Sequence, residues 1–243
     1  MPSISQLTMR KESIPKVSNK DLVLYTLLDG DHIYKAKYKG EMIVVKCLPY
    51  TRESYTEIKI HSFLAPSFAP KVYCWGKYKP DKNKDEILII GMEVLKGTLW
   101  EYILRYKDSN DKITHALRDI VLLLERTHVY LFMHRDLHAS NIMYKEHDHK
   151  VEWFFIDFNM AYIQMNQYRV YNVTQSDHYN MVHSFNPSHD IKMLCISLHD
   201  VIPHILRIQT QRAFNDTYGN IVHIIDYDYV PSKLLKYLET YIE

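Results

Sequence analysis

The stretch that most restricts what this chain can fold into is MHRDLHASNIMYKEHDHKVEWFFIDFNMAY, residues 133–162. Two short apolar runs, NIMYK and VEWFFIDF, flank the polar turn EHDHK, and this pattern predicts two strands joined by a turn. Asp136 and Asn141 stand five residues apart in the loop that opens onto the first strand, and Asp157 follows the second, so a hairpin would carry all three to one mouth. Hard oxygen donors of this kind suit Mg²⁺, which takes one or two carboxylates together with substrate phosphate oxygens. With Asn141 and Asp157 on the metal, Asp136 is left to accept a proton from an incoming hydroxyl or to orient it. The plainer alternative is a polar turn between two strands with no chemistry attached.

Such chemistry needs a cation, and Lys46 in MIVVKCL supplies one. An ammonium inside an apolar strand is costly to bury unless it meets phosphate or a carboxylate. Glu57 is the obvious partner, with Glu53 as the alternative; both lie on a helix predicted over TRESYTEIKIHSFLA that places Tyr55, Ile58 and Phe63 near helical spacing and ends before Pro66. Upstream, DLVLYTLLDG, HIYKAKYKG and EMIVVKCLPY read as antiparallel hairpin strands punctuated by Gly30 and Gly40. PKVYCWGKYK and DEILIIGMEVL add two more strands, and GTLWEYILRYK starts a helix. The segment KITHALRDIVLLLERTHVYLF carries a broad apolar face, and SHDIKMLCISLHDVI places Ile191, Leu194, Leu198 and Ile202 on one side of another helix. A strand or two and a terminal helix from Pro231 are predicted for the last 40 residues.

Composition narrows the class. With 243 residues and 47% hydrophobic content the chain has a core of one large domain or two apposed lobes. Lys+Arg 30 against Asp+Glu 29 gives a net charge of +1, which argues against a nucleic-acid protein working through a basic surface. Cys47, Cys74 and Cys195 are far apart and odd in number, as in a reducing compartment, and the absence of a signal-like or membrane-length apolar run leads us to expect a cytoplasmic protein with no membrane partner. His134 and His138 bracket a loop rather than a helical turn, and His147 and His149 lie in a polar turn, so the histidines do not read as a zinc site.

These residues carry a resemblance. HRDLHASN resembles the catalytic loop of protein kinases, IDFN their Asp-Phe-Gly metal-binding segment, and VVK the strand of their nucleotide-binding lysine. YTEIKIHSFL is similar to the helix whose glutamate pairs with that lysine, and LIIGMEVLKGTLWEYI to the strand and hinge around the adenine pocket. The likeness runs from about residue 24 to 200 and is nearest to compact, divergent members such as kinases of large DNA viruses and the haspin-like branch. It implies an α+β, bilobal kinase-like fold: one domain over 1–243, with a small antiparallel-sheet N-lobe plus one helix over 20–95 and a mainly helical, truncated C-lobe over 96–243. It further implies ATP and Mg²⁺ as ligands and a protein substrate with Ser/Thr hydroxyls as acceptors. Asp136 would be the base and Lys46 the phosphate-binding cation, with Glu57 its partner and Asn141 and Asp157 the metal ligands. Gly30 would lie at the phosphate loop, Met92 at the back wall of the adenine pocket, and Glu93 to Leu95 would offer hinge backbone. Asp190 would tie down the catalytic loop, and Arg135 would receive an activation phosphate from Tyr171, Thr174 or Ser176 or else form a structural ion pair.

The chain departs from the family at several positions. The phosphate loop has one glycine where three are usual, the spacing from Lys46 to Glu57 is short, and no Ala-Pro-Glu segment separates Asp157 from Asp190. Asn159 stands where a glycine is usual, and Asn is the residue that next best tolerates a left-handed backbone. Two alternatives follow. DLHASNIM with IDFNMAY is also similar to the pattern of aminoglycoside and choline kinases, and the poor glycine loop fits a pseudokinase that acts as a binding module.

Overall fold

The computed structural model describes residues 15–18, 20–30, 32–80, 85–148, 150–165, 168–171 and 187–199. They form two compact units. The first holds the described residues up to Leu95 together with Ile156–Asn159; the second holds Lys96–Phe155, Met160–Tyr171 and the helix over 187–199.

The first unit is built on a five-stranded antiparallel sheet of β1 (Leu22–Asp29), β2 (Ile33–Tyr38), β3 (Glu41–Leu48), β4 (Val72–Tyr78) and β5 (Ile87–Met92), in the order β1-β2-β3-β5-β4. Lys39 and Gly40, with φ of 49° and 96°, close the β2–β3 hairpin opposite Tyr38 and Glu41, the left-handed pair that a two-residue hairpin turn demands. Strand alternation then sorts the side chains. Ile43 and Val45 pack with Leu22, Ala36 and Ile89 on one face, while Leu48, Leu88 and Ile90 pack with Ile58 of the helix on the other. Lys46 shares its face of β3 with Leu48, paired to Ile90. Residues Pro15–Val17 lie parallel along β4, where Val17 N–H donates to the Lys77 carbonyl (2.9 Å) and Lys77 N–H to that of Pro15 (2.8 Å).

The helix of this unit, α1 (Arg52–Leu64), starts where expected, with Thr51 capping Ser54 N–H. Its buried face is more polar than the apolar spacing read in the sequence. Ser54, Glu57, Ile58, Ile60, His61 and Leu64 are buried, whereas Tyr55 and Phe63 are half-buried, Tyr55 packing against the same cluster as Ile58. Three of those six are polar, so hydrophobicity alone misses half of the face.

In the second unit, β6 (Gly97–Thr98) leads into α2 (Leu99–Arg105) through a capping box, with Glu101 N–H donating to the Thr98 hydroxyl and Thr98 N–H to the Glu101 carboxylate. Helix α3 (Asn110–His128) buries Ile113, Ile120, Val121 and Leu124. It delivers the chain to β7 (Phe132–Met133) and a 3-10 turn at Ala139–Asn141. The hairpin read from the sequence is present as β8 (Ile142–His147) and β9 (Lys150–Phe155), in a sheet of order β6-β8-β9. A second small sheet, β11 (Tyr168–Tyr171), β10 (Tyr162–Met165) and β7, was not legible in the sequence. Helix α4 (Pro187–His199) buries Ile191, Leu194 and Leu198 on the side expected. Ile202, the predicted terminal helix from Pro231 and the expected truncation of the helical lobe lie outside the described residues. Among those residues no helix is long and apolar enough to cross a membrane.

Candidate active site

The first unit assembles a buried ionic cluster. Lys46 Nζ donates to Glu57 Oε1 at 2.6 Å and to Asp157 Oδ1 at 2.9 Å. The Lys46 and Glu57 side chains are nearly buried, while Asp157 keeps about a third of its surface open. Burial alone would lower the lysine pKa, but the charges of Glu57 and Asp157, and their hydrogen bonds, outweigh it and hold the ammonium above its ordinary value. The carboxylate anticipated for Lys46 is therefore Glu57 and not Glu53, and a second, Asp157, was missed as a partner. An ammonium has three N–H bonds, and two of them are committed here, which leaves one for an incoming anion.

Asp157 adopts φ of 61°, a left-handed conformation that a non-glycine residue holds only when its surroundings enforce it. This positive φ falls two residues before Asn159, which stands where a glycine is usual and is not itself among the left-handed residues. Next to Asp157, Phe158 is fully buried and meets the edge of the His61 ring at 5.3 Å. His61 Nε2 lies 3.0 Å from the Pro70 carbonyl, and because a carbonyl only accepts, that nitrogen carries the proton. Full burial drives the His61 pKa down to about 4. His61 escaped the sequence reading because a lone histidine on a helix has no spacing signature.

The remaining residues expected around a nucleotide also lie in this unit. Met92 pairs in register with Val44 and Val72 at the end of β5. Glu93 is latched to Lys71: its N–H donates to the Lys71 carbonyl (2.9 Å), and its carboxylate accepts from Lys71 N–H (3.4 Å). Among the described residues no backbone group takes the Leu95 N–H. Gly30 sits exposed in the β1–β2 turn with φ of 50°.

The second unit holds the loop that contains Asp136. Asp190, fully buried at the start of α4, accepts from His134 N–H through Oδ2 and from Arg135 N–H through Oδ1, both at 2.7 Å. These two bonds fix the backbone on which Arg135 takes φ of 68°, immediately before Asp136. His134 is enclosed between Phe132 and Phe155, with both rings edge-on. Arg135 is buried with its guanidinium 5.0 Å from the centre of the Tyr162 ring. Of its expected phosphate donors, Thr174 and Ser176 lie outside the described residues. Ser197 of α4 adds a further tie by accepting from Ala139 N–H at 3.2 Å.

Asn141 is buried and its Nδ2 donates to the Asp136 carbonyl at 2.9 Å. Its amide oxygen is therefore the atom it can offer a metal. In the first unit, Asp157 offers carboxylate oxygens, one of which accepts from Lys46. Both are hard oxygen donors, a chemistry that fits Mg²⁺. Among the described residues no group of three or more His, Cys, Asp or Glu is placed to hold a metal ion. Finally, His138 accepts from Ser140 N–H through Nδ1 (3.3 Å), and its Nε2 lies 3.9 Å from Asp136 Oδ2.

Comparison with known proteins finds partial likenesses. Over 101 residues the chain is 33% identical to the serine/threonine-protein kinase Nek8 of Danio rerio, a stretch that covers 40% of this chain and only 14% of that protein. It also aligns with a chain of the crystal structure titled yeast RNA Pol II CTD kinase CTDK-1 complex, at 20% identity and a TM-score of 0.48, over 62% of this chain and 49% of that one. No family model matches. The chain thus has an antiparallel five-stranded sheet with one helix, followed by a helix-containing unit, with Lys46, Glu57, the loop at 134–141 and Asp157 in that order, and its likeness in sequence to a protein kinase extends over 101 residues.

Proposed function

We propose that the chain is an ATP-dependent protein kinase that transfers the γ-phosphoryl group to Ser or Thr hydroxyls. The observation that carries this reading is the buried cluster of Lys46, Glu57 and Asp157. A lysine sunk in an apolar sheet is kept charged there by two carboxylates, a perturbed cluster of the kind found at functional sites, and its third N–H is suited to a phosphate oxygen. Asp136 accepts the proton of the acceptor hydroxyl, and Lys46 lowers the charge on the nucleotide phosphates. Asn141 and Asp157 would hold Mg²⁺, which when bound neutralises charge on the transferring group. The backbone of Glu93 to Leu95 would face the adenine edge, with the Leu95 N–H as its donor, and Gly30 would lie over the phosphates.

The test is transfer of label from γ-labelled ATP with Mg²⁺ to a serine/threonine peptide library, run beside a tyrosine library and a set of small amino alcohols. Labelled Ser or Thr, lost on chelation of Mg²⁺, is the expected result. Label on the small alcohols alone would replace this reading with a small-molecule phosphotransferase. A thermal shift with MgATP but no transfer to any acceptor would leave a nucleotide-binding module.

A further inference from the structure

We propose that Tyr162 is a positioning residue for the loop that contains Asp136: its ring holds the Arg135 guanidinium in the place of an activation phosphate, so that transfer runs on the unmodified chain. This rests on the phosphoryl-transfer reading above and adds how that site is regulated. Arg135 immediately precedes Asp136, is 7% exposed, and has its guanidinium 5.0 Å from the centre of the Tyr162 ring. A guanidinium taken out of water needs compensating partners, and an aromatic face is one, most effective where both groups are desolvated. Tyr162 is fully buried, so the pair is of that kind. A phosphate ester carries about two negative charges and binds arginines whose donors it can reach from solvent. The burial of Arg135 denies it that approach.

Backbone pairing, and no modification, sets the place of Tyr162. It lies on β10, the middle strand of the sheet β11-β10-β7, paired with Met133 on one side and with Tyr171 on the other, and its neighbour Ile163 pairs with Phe132. Strand β7 runs directly into His134 and Arg135, whose amides donate to the Asp190 carboxylate at 2.7 Å. Strand pairing thus places the ring, the ring holds the guanidinium, and Asp190 holds the amide, with Arg135 at φ of 68° between them. A left-handed backbone at a non-glycine residue persists where its surroundings enforce it, and these contacts do so. An activating phosphate orders a segment by tying it to an arginine through charge-assisted hydrogen bonds. Here the sheet brings the segment that follows Asp157 to the same arginine, and the ring contact stands in for the ion pair. Tyr171, one of the three residues expected to offer that phosphate, already has its backbone fixed in β11 opposite Tyr162.

The competing role for Tyr162 is core packing alone, and the full chain separates the two. Wild type stripped by a broad-specificity phosphatase, and shown by intact mass to be unmodified before and after a single-turnover assay, should transfer label at a rate within about threefold of the untreated protein. The combined variant Tyr171→Phe, Thr174→Ala and Ser176→Ala should do the same. Tyr162→Phe keeps the ring and should retain kcat within about threefold. Tyr162→Leu keeps apolar bulk but no aromatic face, and at a temperature where circular dichroism shows it folded its kcat should be about 10- to 100-fold lower with an unchanged KM for MgATP. Arg135→Met removes the cation while filling its space, and gives the same readout should Y162L fail to fold. A tenfold or greater loss of rate on phosphatase treatment, or wild-type kcat in folded Y162L or R135M, overturns the inference while the proposed function stands. No transfer by wild type, treated or untreated, overturns both.

Discussion

Removing Asp190 probes how the loop that contains Asp136 is held. Its carboxylate is fully buried and accepts two 2.7 Å bonds from the amides of His134 and Arg135. Hydrogen bonds to a charged acceptor contribute about 1.5–3 kcal/mol each, and an orphaned buried N–H costs about 1–3 kcal/mol. Asp190→Ala leaves two such buried donors without their acceptor, so a loss of about 3–5 kcal/mol is expected, a large part of a typical domain's stability. Asp190→Asn keeps one accepting oxygen and turns an NH₂ group toward the other donor, and should fall between the alanine variant and wild type. Native-state hydrogen exchange reads the effect at its source. At ~1.4 kcal/mol per factor of ten, the His134 and Arg135 amides of D190A should exchange on the order of a hundred- to a thousandfold faster than in wild type. Amides in β3 and β5 serve as the internal reference for global unfolding. Exchange at the two loop amides within about threefold of wild type would show that Asp190 does not hold the loop, and the account of the left-handed Arg135 backbone would fail with it.

Other outcomes follow from the first unit. The pKa of His61 is lowered from 6.5 to about 4 by burial, so below pH 6.5 the unfolded chain binds a proton that the folded chain refuses. The stability tied to this residue is complete above pH 6.5 and declines as the pH falls to about 4, by about 3 kcal/mol in all. In urea titrations at stepped pH, His61→Gln, whose amide can still donate to Pro70, should lose that part of the acid dependence; an unchanged pH profile would contradict it. Gly76 has φ of 147°, and an added Cβ would stand 2.1 Å from the Pro15 carbonyl oxygen. Gly76→Ala must therefore push Pro15–Val17 off β4, breaking two hydrogen bonds at a cost of about 2–4 kcal/mol with the backbone strain included. Faster exchange of the Val17 and Lys77 amides checks this, and protection equal to wild type would refute it.

How much of this was legible in the sequence depends on how local each cause is. The β2–β3 hairpin could be read because apolar alternation and Gly40 act within a few residues of each other. The Lys46–Glu57 pair could be read because an ammonium in MIVVKCL has to find a carboxylate on the next element. The second partner, Asp157, is 111 residues away, and its placement depends on a left-handed turn centred on itself and not on Asn159. The buried face of α1 was read only in part, at Ile58, because Ser54, Glu57 and His61 also lie on it. Their burial is decided by the Lys46 cluster, the Pro70 carbonyl and Phe158, none of which is local in sequence. Strand β7 is two residues long, and its pairing with β10 has no periodicity to reveal it. The Asp136 loop was recognisable by motif, yet the geometry of His138 depends on which ring nitrogen Ser140 N–H selects, and no spacing rule carries that.

The central claim, that Asp136 is the base of a phosphoryl transfer supported by Lys46 and Asp157, is tested most directly by single-turnover transfer from MgATP to a serine-containing acceptor peptide, with wild type and Asp136→Asn at saturating nucleotide. Asn has nearly the same shape but cannot take the proton. The expected result is unchanged MgATP affinity by calorimetry with transfer slowed on the order of 100- to 10,000-fold. Transfer by D136N at the wild-type rate, or tight MgATP binding by wild type with no transfer to any hydroxyl, would contradict it.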